Sequence, residues 1–182
     1  MNDADRLNGV LTVAMGRCVT SLDTARQLTA AGFNGPAYVW AVRSVEIFMR
    51  EFALLPYFLS SGRAFDEAWK KARRAFGGGG DWNQAMATVE NACGEIDEML
   101  TTDDEDAWAM WKRHIPQRRG ECVHGRALSD PSDSEVEHVI EWARMLVQQL
   151  GLRLMTKPNH PASIVITEFM RRADLGTDPT NT

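Results

Sequence analysis

Apolar residues recur every three and four positions along most of this chain, which is the spacing of one buried face of an α-helix. The pattern predicts six helices and a short seventh, over residues 7–28, 36–55, 63–76, 82–100, 103–116, 134–150 and 161–176. No stretch alternates apolar and polar residues in the manner of a half-buried strand. We therefore expect an all-α fold, built as an antiparallel bundle of helices.

Capping and breaking residues predict where several of these helices begin and end. Asp81 is placed to cap the fourth helix, and Ser134 begins a capping-box spacing ahead of the sixth, which Gly151 would end. Pro56 should kink or end the second helix and Pro116 should end the fifth, because proline lacks the backbone N–H that a helix interior needs.

The 182 residues suffice for one domain with a single core. We expect a helical domain over residues 1–155 and a C-terminal extension over 156–182, which holds the short last helix and a disordered end. The GGGG run at 77–80 is interpreted as a linker, because no Gly-Lys-Ser/Thr sequence follows it to make a phosphate loop.

The composition, 44% hydrophobic and 25% charged with six Trp, is typical of a folded protein. The N-terminus lacks the basic start and long apolar run of a signal peptide, and no segment has the apolar length of a membrane span. Cys18, Cys93 and Cys122 are far apart and indicate neither a disulfide framework nor a zinc site. We therefore expect a cytoplasmic protein with free thiols, no metal, no cofactor and no membrane contact.

Charge is unevenly distributed around a net charge of -5. Residues 97–106 carry six acids and no base, whereas residues 112–126 carry five bases and one acid, together with His114 and His124. A local basic site on an acidic body suits an anion held at one place, such as a phosphate group or a short strand of RNA. The alternative is an ordinary solvated basic face, paired with neighbouring acids.

Within the basic run, Arg119 is followed after four residues by His124, in the sequence RGECVHG. The chain here resembles the HEPN superfamily, whose signature is an arginine and, four to six residues later, a histidine, between the penultimate and last core helices. The segment AYVWAVRSVEIFMREFALL at 37–55 is similar to that family's second helix, and SDSEVEHVIEWARMLVQQL at 132–150 is similar to the helix after the motif. Gly120 stands where the family commonly has a polar residue, so Arg118, five residues before His124, is the alternative motif arginine.

The resemblance implies a HEPN-like bundle, with additional helices inserted between the second and penultimate core helices, and a metal-independent endoribonuclease in a toxin or antiphage defence role. In that chemistry the ribose 2′-OH attacks the adjacent phosphorus and leaves a 2′,3′-cyclic phosphate. Arg119 would hold the phosphate, because a guanidinium offers paired donors, and His124 would move the proton, because histidine titrates near neutral pH. Glu46, which matches the acidic position of the family's second helix, would support them together with Arg118 and Arg126.

Five steps along a regular helix turn a side chain through about 140°, so Arg119 and His124 would not share one face of a continuous helix. Either Gly120 bends the backbone, or the two groups meet those of another subunit. The resemblance implies the second arrangement, in which two copies of the motif line one cleft of a homodimer. An RNA-cutting enzyme of this kind also implies a restraining partner, such as an antitoxin or a regulatory protein.

Two alternatives stay open at this point. Glu46 lies three and four residues from Arg43 and Arg50, which is also the spacing of an exposed ion-pair row. The alternative function is a non-catalytic HEPN helical dimer that binds a partner protein, a nucleotide or RNA.

Other polar residues are weaker candidates. His138 is interpreted as a surface residue, and His114 as one that ends a helix. Four basic residues on the outward face of the third helix are candidates to extend an RNA path, namely Lys70, Lys71, Arg73 and Arg74.

Overall fold

The computed structural model describes residues 2–76, 81–94, 96, 106–124, 130–157, 160 and 166–167. Most of the expected last helix and the expected disordered end lie outside these residues, as does the GGGG run. Ile166, beyond the end of the last long helix, is fully buried.

The regular structure of the described residues is helical throughout, without a strand, which confirms the predicted all-α fold. The helices are α1 (Asp3–Ala30), α2 (Asn34–Phe48), α3 (Leu55–Ser60), α4 (Phe65–Ala75), α5 (Trp82–Cys93), α6 (Ala107–His124) and α7 (Asp133–Thr156). A π-helical segment, Met49–Leu54, joins α2 to α3. No helix in the described ranges is both long enough and apolar enough to cross a bilayer.

Helix α2 lies at the centre of the fold and packs against α1, α6 and α7. Only three residues separate α1 from α2, so these two helices run antiparallel. The core between them consists of large side chains with almost no exposed surface, including Leu11, Phe48, Phe52, Trp111, Ile115 and Leu146. Each such side chain stabilises the fold by roughly 1.5–3 kcal/mol relative to an exposed one.

Neither proline interrupts the helical path as expected. Pro56 lies in the first turn of α3, where its missing N–H costs nothing, and the π-helical segment leads into it from α2. Pro116 lies inside α6, so the expectation that it ends this helix is wrong. The residues beyond it are held in place because Arg118 pairs with α7 and Arg119 pairs with α2.

Three other helix ends differ from the sequence prediction and one agrees. Asp81 caps α5 as predicted, accepting a hydrogen bond from a backbone N–H in the first turn. The same helix ends at Cys93 rather than at residue 100, because Gly94 adopts a φ of 89° that terminates the helical path. Helix α7 is capped by Ser132, not Ser134, and continues through the buried Gly151 to Thr156.

Candidate functional site

Arg119 of α6 and Glu46 of α2 form an ion pair between two core helices. Nε of Arg119 lies 2.6 Å from Oε1 of Glu46, and Nη2 donates a hydrogen bond to Oε2 at 3.3 Å. The Glu46 side chain is only 9% exposed, whereas that of Arg119 is 32% exposed. The guanidinium therefore turns one edge to the carboxylate, and Nη1 and one Nη2 hydrogen meet no other acceptor among the described residues.

Burial raises the pKa of the Glu46 carboxyl above its ordinary value, and the charge of Arg119 opposes this rise. The alternative of an exposed ion-pair row on α2 does not describe Glu46, which is buried. Arg50 instead pairs with Glu51 at 2.8 Å, and Arg43 lies over the ring of Trp40. The structure thus brings together Glu46 and Arg119, which are two of the candidate residues from the sequence.

Arg118 faces α7, another helix that packs against α6. Its Nε and Nη2 donate hydrogen bonds to the two carboxylate oxygens of Glu135 on α7, at 2.8 and 3.3 Å. Its Nη1 donates to Glu121 at 3.1 Å. These hydrogen bonds, above all those to Glu135, raise the pKa of the Arg118 guanidinium. All three nitrogens of Arg118 are engaged with carboxylates, so it fastens α6 to α7.

His124 is the last residue of α6, and the structure describes its backbone but not its side chain. Arg126 lies outside the described residues. The helix runs unbroken through Gly120, so the backbone does not bend there to bring the motif residues together. The backbone positions of Arg119 and His124 are consequently about 140° apart around the helix and roughly 7.5 Å apart along its axis.

A cavity of about 430 Å³ lies beside Arg118, between α6 and α7. It is lined by side chains from three helices, among them Tyr38, His114, Arg118, Glu135, His138 and Trp142. The rings of His114 and His138 stack on Trp142, with centroids 6.3 and 6.2 Å from its own. The sequence analysis missed this cavity, because its residues come from separate helices and no spacing along the chain reveals it.

The basic residues of α4 lie apart from these arginines. Helix α4 packs against α3, α5 and the π-helical segment, whereas α6 packs against α2, α5 and α7. All four of the basic side chains are exposed, as predicted. Lys71 lies over the ring of Phe58 and Arg73 over that of Trp69. The four basic residues of α4 and Arg119 of α6 therefore lie on helices that share only α5 among these neighbours.

A largely apolar groove of about 490 Å³ adjoins the end of α6 that carries the motif. It is lined by apolar side chains of α2 and α6 and by two carboxylates, namely Pro36, Val39, Trp40, Cys122, Val123, Glu121 and Asp130. The Val123 side chain is 46% exposed, which is unusual for a large aliphatic side chain that lies next to other apolar groups.

Among the described residues, no three His, Cys, Asp or Glu side chains lie together as a group able to hold a metal ion. No protein-family model, no curated protein and no solved structure matches this chain.

Proposed function

We propose that this protein is a HEPN-like endoribonuclease that cuts RNA without a metal ion and acts in the cytoplasm in a toxin or antiphage defence role. The observation that carries the proposal is the Arg119–Glu46 ion pair. A buried carboxylate fixes one edge of the guanidinium, and Nη1, which meets no acceptor among the described residues, could then donate to a phosphate. A prearranged cation of this kind stabilises a phosphate that gains charge during reaction.

The proposed reaction uses Arg119 and His124 in different roles. The imidazole of His124 takes the proton of the ribose 2′-OH as the oxygen attacks phosphorus. Arg119 donates hydrogen bonds to the non-bridging oxygens while the phosphorus becomes five-coordinate. The bond to the 5′-oxygen then breaks and the imidazolium of His124 gives its proton to that oxygen, which yields a 2′,3′-cyclic phosphate and a 5′-hydroxyl.

The site is proposed to form across a homodimer, with α3, α4 and α5 as the helices inserted into the HEPN-like bundle. Because α6 is unbroken, the backbone positions of Arg119 and His124 in one chain lie about 140° apart around the helix. A second chain, docked through the apolar groove at Val123, would bring its own His124 to Arg119 of the first. An antitoxin or other regulatory protein would restrain the enzyme.

The test is the cutting of end-labelled RNA in excess EDTA by the wild-type protein and two variants, Arg119→Ala and His124→Ala. We expect cyclic phosphate ends from the wild type and a loss of at least about a hundredfold in each variant. Arg144→Ala is the matched control, since Arg144 also pairs with a carboxylate, Glu141, but on the outside of α7. Equal cutting by all four proteins would mean a contaminating nuclease and would refute the proposal.

Two further variants test the choice of arginine and the dimer. Arg118→Ala should keep cutting if Arg119 is the motif residue. Mixing the inactive Arg119→Ala and His124→Ala proteins should restore up to about a quarter of the wild-type activity, because half of the dimers then contain one intact composite site. No recovery, with subunit exchange verified by mass spectrometry, would place both residues of a site in one chain.

The second candidate function is a non-catalytic HEPN helical dimer that binds a partner protein, a nucleotide or RNA. It is favoured by the cavity beside Arg118, where two imidazoles flank Trp142. Saturable binding of RNA or of a nucleotide by a protein that cuts no RNA would support this function over the first.

A further inference from the structure

A second groove, unrelated to the motif, lies on the other side of the fold between α1, α4 and the π-helical segment. Its volume is about 420 Å³, which lies within the range of small-molecule sites. Its walls are mostly apolar and include Val10 and Val13 of α1 and Phe65 and Trp69 of α4. Val13 is 62% exposed, so the groove opens to solvent along α1.

Glu51 lines this groove from the π-helical segment and is only 1% exposed. Its Oε1 accepts a hydrogen bond from Nε of Arg50 at 2.8 Å. Its Oε2 is buried and has no hydrogen-bond partner among the described residues. A buried carboxylate oxygen without a partner costs free energy, which a ligand that supplies a donor would recover.

The backbone around Glu51 is also unusual. Residues Met49–Leu54 form a π-helical turn. This conformation is rare in proteins overall, and where it occurs it is often at a functional site. Glu51 lines the groove together with two aromatic side chains, Phe65 and Trp69, whose rings have centroids 6.4 Å apart. A buried carboxylate with one unpartnered oxygen thus borders an apolar opening of ligand size.

We propose that this groove binds a small, flat, apolar molecule that carries an N–H group, which donates a hydrogen bond to Oε2 of Glu51. Burial raises the pKa of the Glu51 carboxyl and the charge of Arg50 opposes this rise, so the Arg50 pair favours the ionised carboxylate, whose Oε2 accepts hydrogen bonds. Arg6, at one end of the groove, already pairs with Asp66 and lies over the ring of Phe65. The charge of Arg6 is therefore met within the chain, and that of Arg17, which also lines the groove, lies close enough to Glu51 to interact with its carboxyl.

Indole and 1-methylindole are suitable probes, because they have nearly the same shape and only indole has an N–H. Titration of the full-length protein, followed by isothermal calorimetry or by the NMR signal of the Trp69 side chain, should show indole binding about tenfold more tightly. Benzofuran, whose ring oxygen only accepts hydrogen bonds, should bind no better than 1-methylindole. Equal affinities, preference for benzofuran or no binding by any probe would overturn the proposal.

Glu51→Gln tests the carboxylate directly. The Gln oxygen must accept the hydrogen bond from Arg50, so its NH₂ group occupies the position of Oε2 and meets the indole N–H with another donor. We expect the preference for indole to disappear in this variant; a preserved tenfold preference would refute the role of Glu51.

A second variant keeps the test decisive if Glu51→Gln does not fold. Val13→Arg changes an exposed residue at the groove mouth and should weaken binding of both indoles about tenfold or more. Leu152→Arg is the matched control, since Leu152 is also an exposed apolar residue, on α7, and lies outside the groove. If Val13→Arg binds indole as well as Leu152→Arg does, the site is not in this groove. Since none of these measurements involves RNA, their failure would leave the proposed ribonuclease untouched.

Discussion

The ion pair between Glu46 and Arg119 should stabilise the fold measurably, and a double-mutant cycle isolates its contribution. The cycle consists of the wild type, Glu46→Gln, Arg119→Met and the double variant. The glutamine keeps the size of the glutamate, and the methionine keeps most of the arginine's apolar stem. The coupling free energy is the part of the destabilisation that both single variants share.

The geometry sets the expected size of this coupling. Two unit charges whose centres are about 4 Å apart attract by about 4 kcal/mol at an effective dielectric constant of about 20. The Arg119 side chain is 32% exposed, so solvent screens part of this attraction, and about half of it, about 2 kcal/mol, should remain. Glu46, at 9% exposed, cannot regain its hydration when the arginine is removed.

Urea unfolding of the four proteins at pH 7 and low salt measures the coupling. Arg144 and Glu141 provide the control pair, because their contact is also bidentate, at 2.8 and 3.0 Å, but both side chains are about one-third exposed. We expect at most about 0.5 kcal/mol for that pair. A coupling for Glu46 and Arg119 no larger than that of the control would refute the argument that burial strengthens the pair.

The free energy of unfolding of the wild type and of the same variants should depend on pH in different ways. Burial raises the pKa of Glu46 in the folded protein, so the folded state binds the proton more tightly than the unfolded state does. The stability linked to this proton is present below the ordinary pKa of about 4.5 and is lost as the pH rises through the folded-state pKa. Arg119→Met should steepen this loss, because the opposing charge is gone, and Glu46→Gln should abolish it. A parallel pH profile in all variants would contradict the assignment.

Three other variants or reagents test the fold. Gly94→Ala should destabilise the protein by about 1–2 kcal/mol in urea unfolding, because φ is 89° there, while the added Cβ would meet no atom of the described residues within 4 Å. An unchanged midpoint would contradict this. With a disulfide reagent at pH 8, the half-buried Cys122 should react first, since burial raises the pKa of Cys93 to about 12 and that of Cys18 further still; equal rates for all three thiols would be the contrary result. Pro116→Ala should stabilise α6 by about 1–3 kcal/mol and raise the melting temperature, as alanine restores a backbone donor inside the helix; a lower melting temperature would show that the proline is required.

The spacing of apolar residues predicted most of the helices, because a helix in a core must bury one face at intervals of three and four. It failed where tertiary contacts outweigh local preference. Pro116 is a strong local stop signal, yet the buried Trp111 and Ile115 before it and the paired arginines after it keep α6 continuous. Conversely, the apolar spacing continued past Cys93, where a single glycine with positive φ ends α5.

The residues of the candidate site could likewise be predicted from the sequence only in part. Glu46 and Arg119 are 73 residues apart in sequence, and Glu46 is a candidate from the sequence because it matches the acidic position of the second helix in the family that the chain resembles. The indole site at Glu51 was not predicted, since no local pattern reveals a π-helical turn or a groove between distant helices. Sequence periodicity reports which faces are buried, whereas cavities depend on how those faces meet.

The two arginines differ in how their donors are used within the described residues, and this is why we propose Arg119 rather than Arg118 for the phosphate. Arg118 has a carboxylate oxygen at each of its three nitrogens, whereas Arg119 contacts Glu46 through Nε and Nη2, and its Nη1 meets no acceptor among the described residues. Arg119→Lys should therefore preserve much of the ion pair while reducing RNA cutting by about a hundredfold, because a single ammonium cannot bind the carboxylate and clamp a phosphate with the same fixed fork. Cutting by Arg119→Lys at the wild-type rate would show that a point charge suffices there, and the argument from the free guanidinium edge would fail.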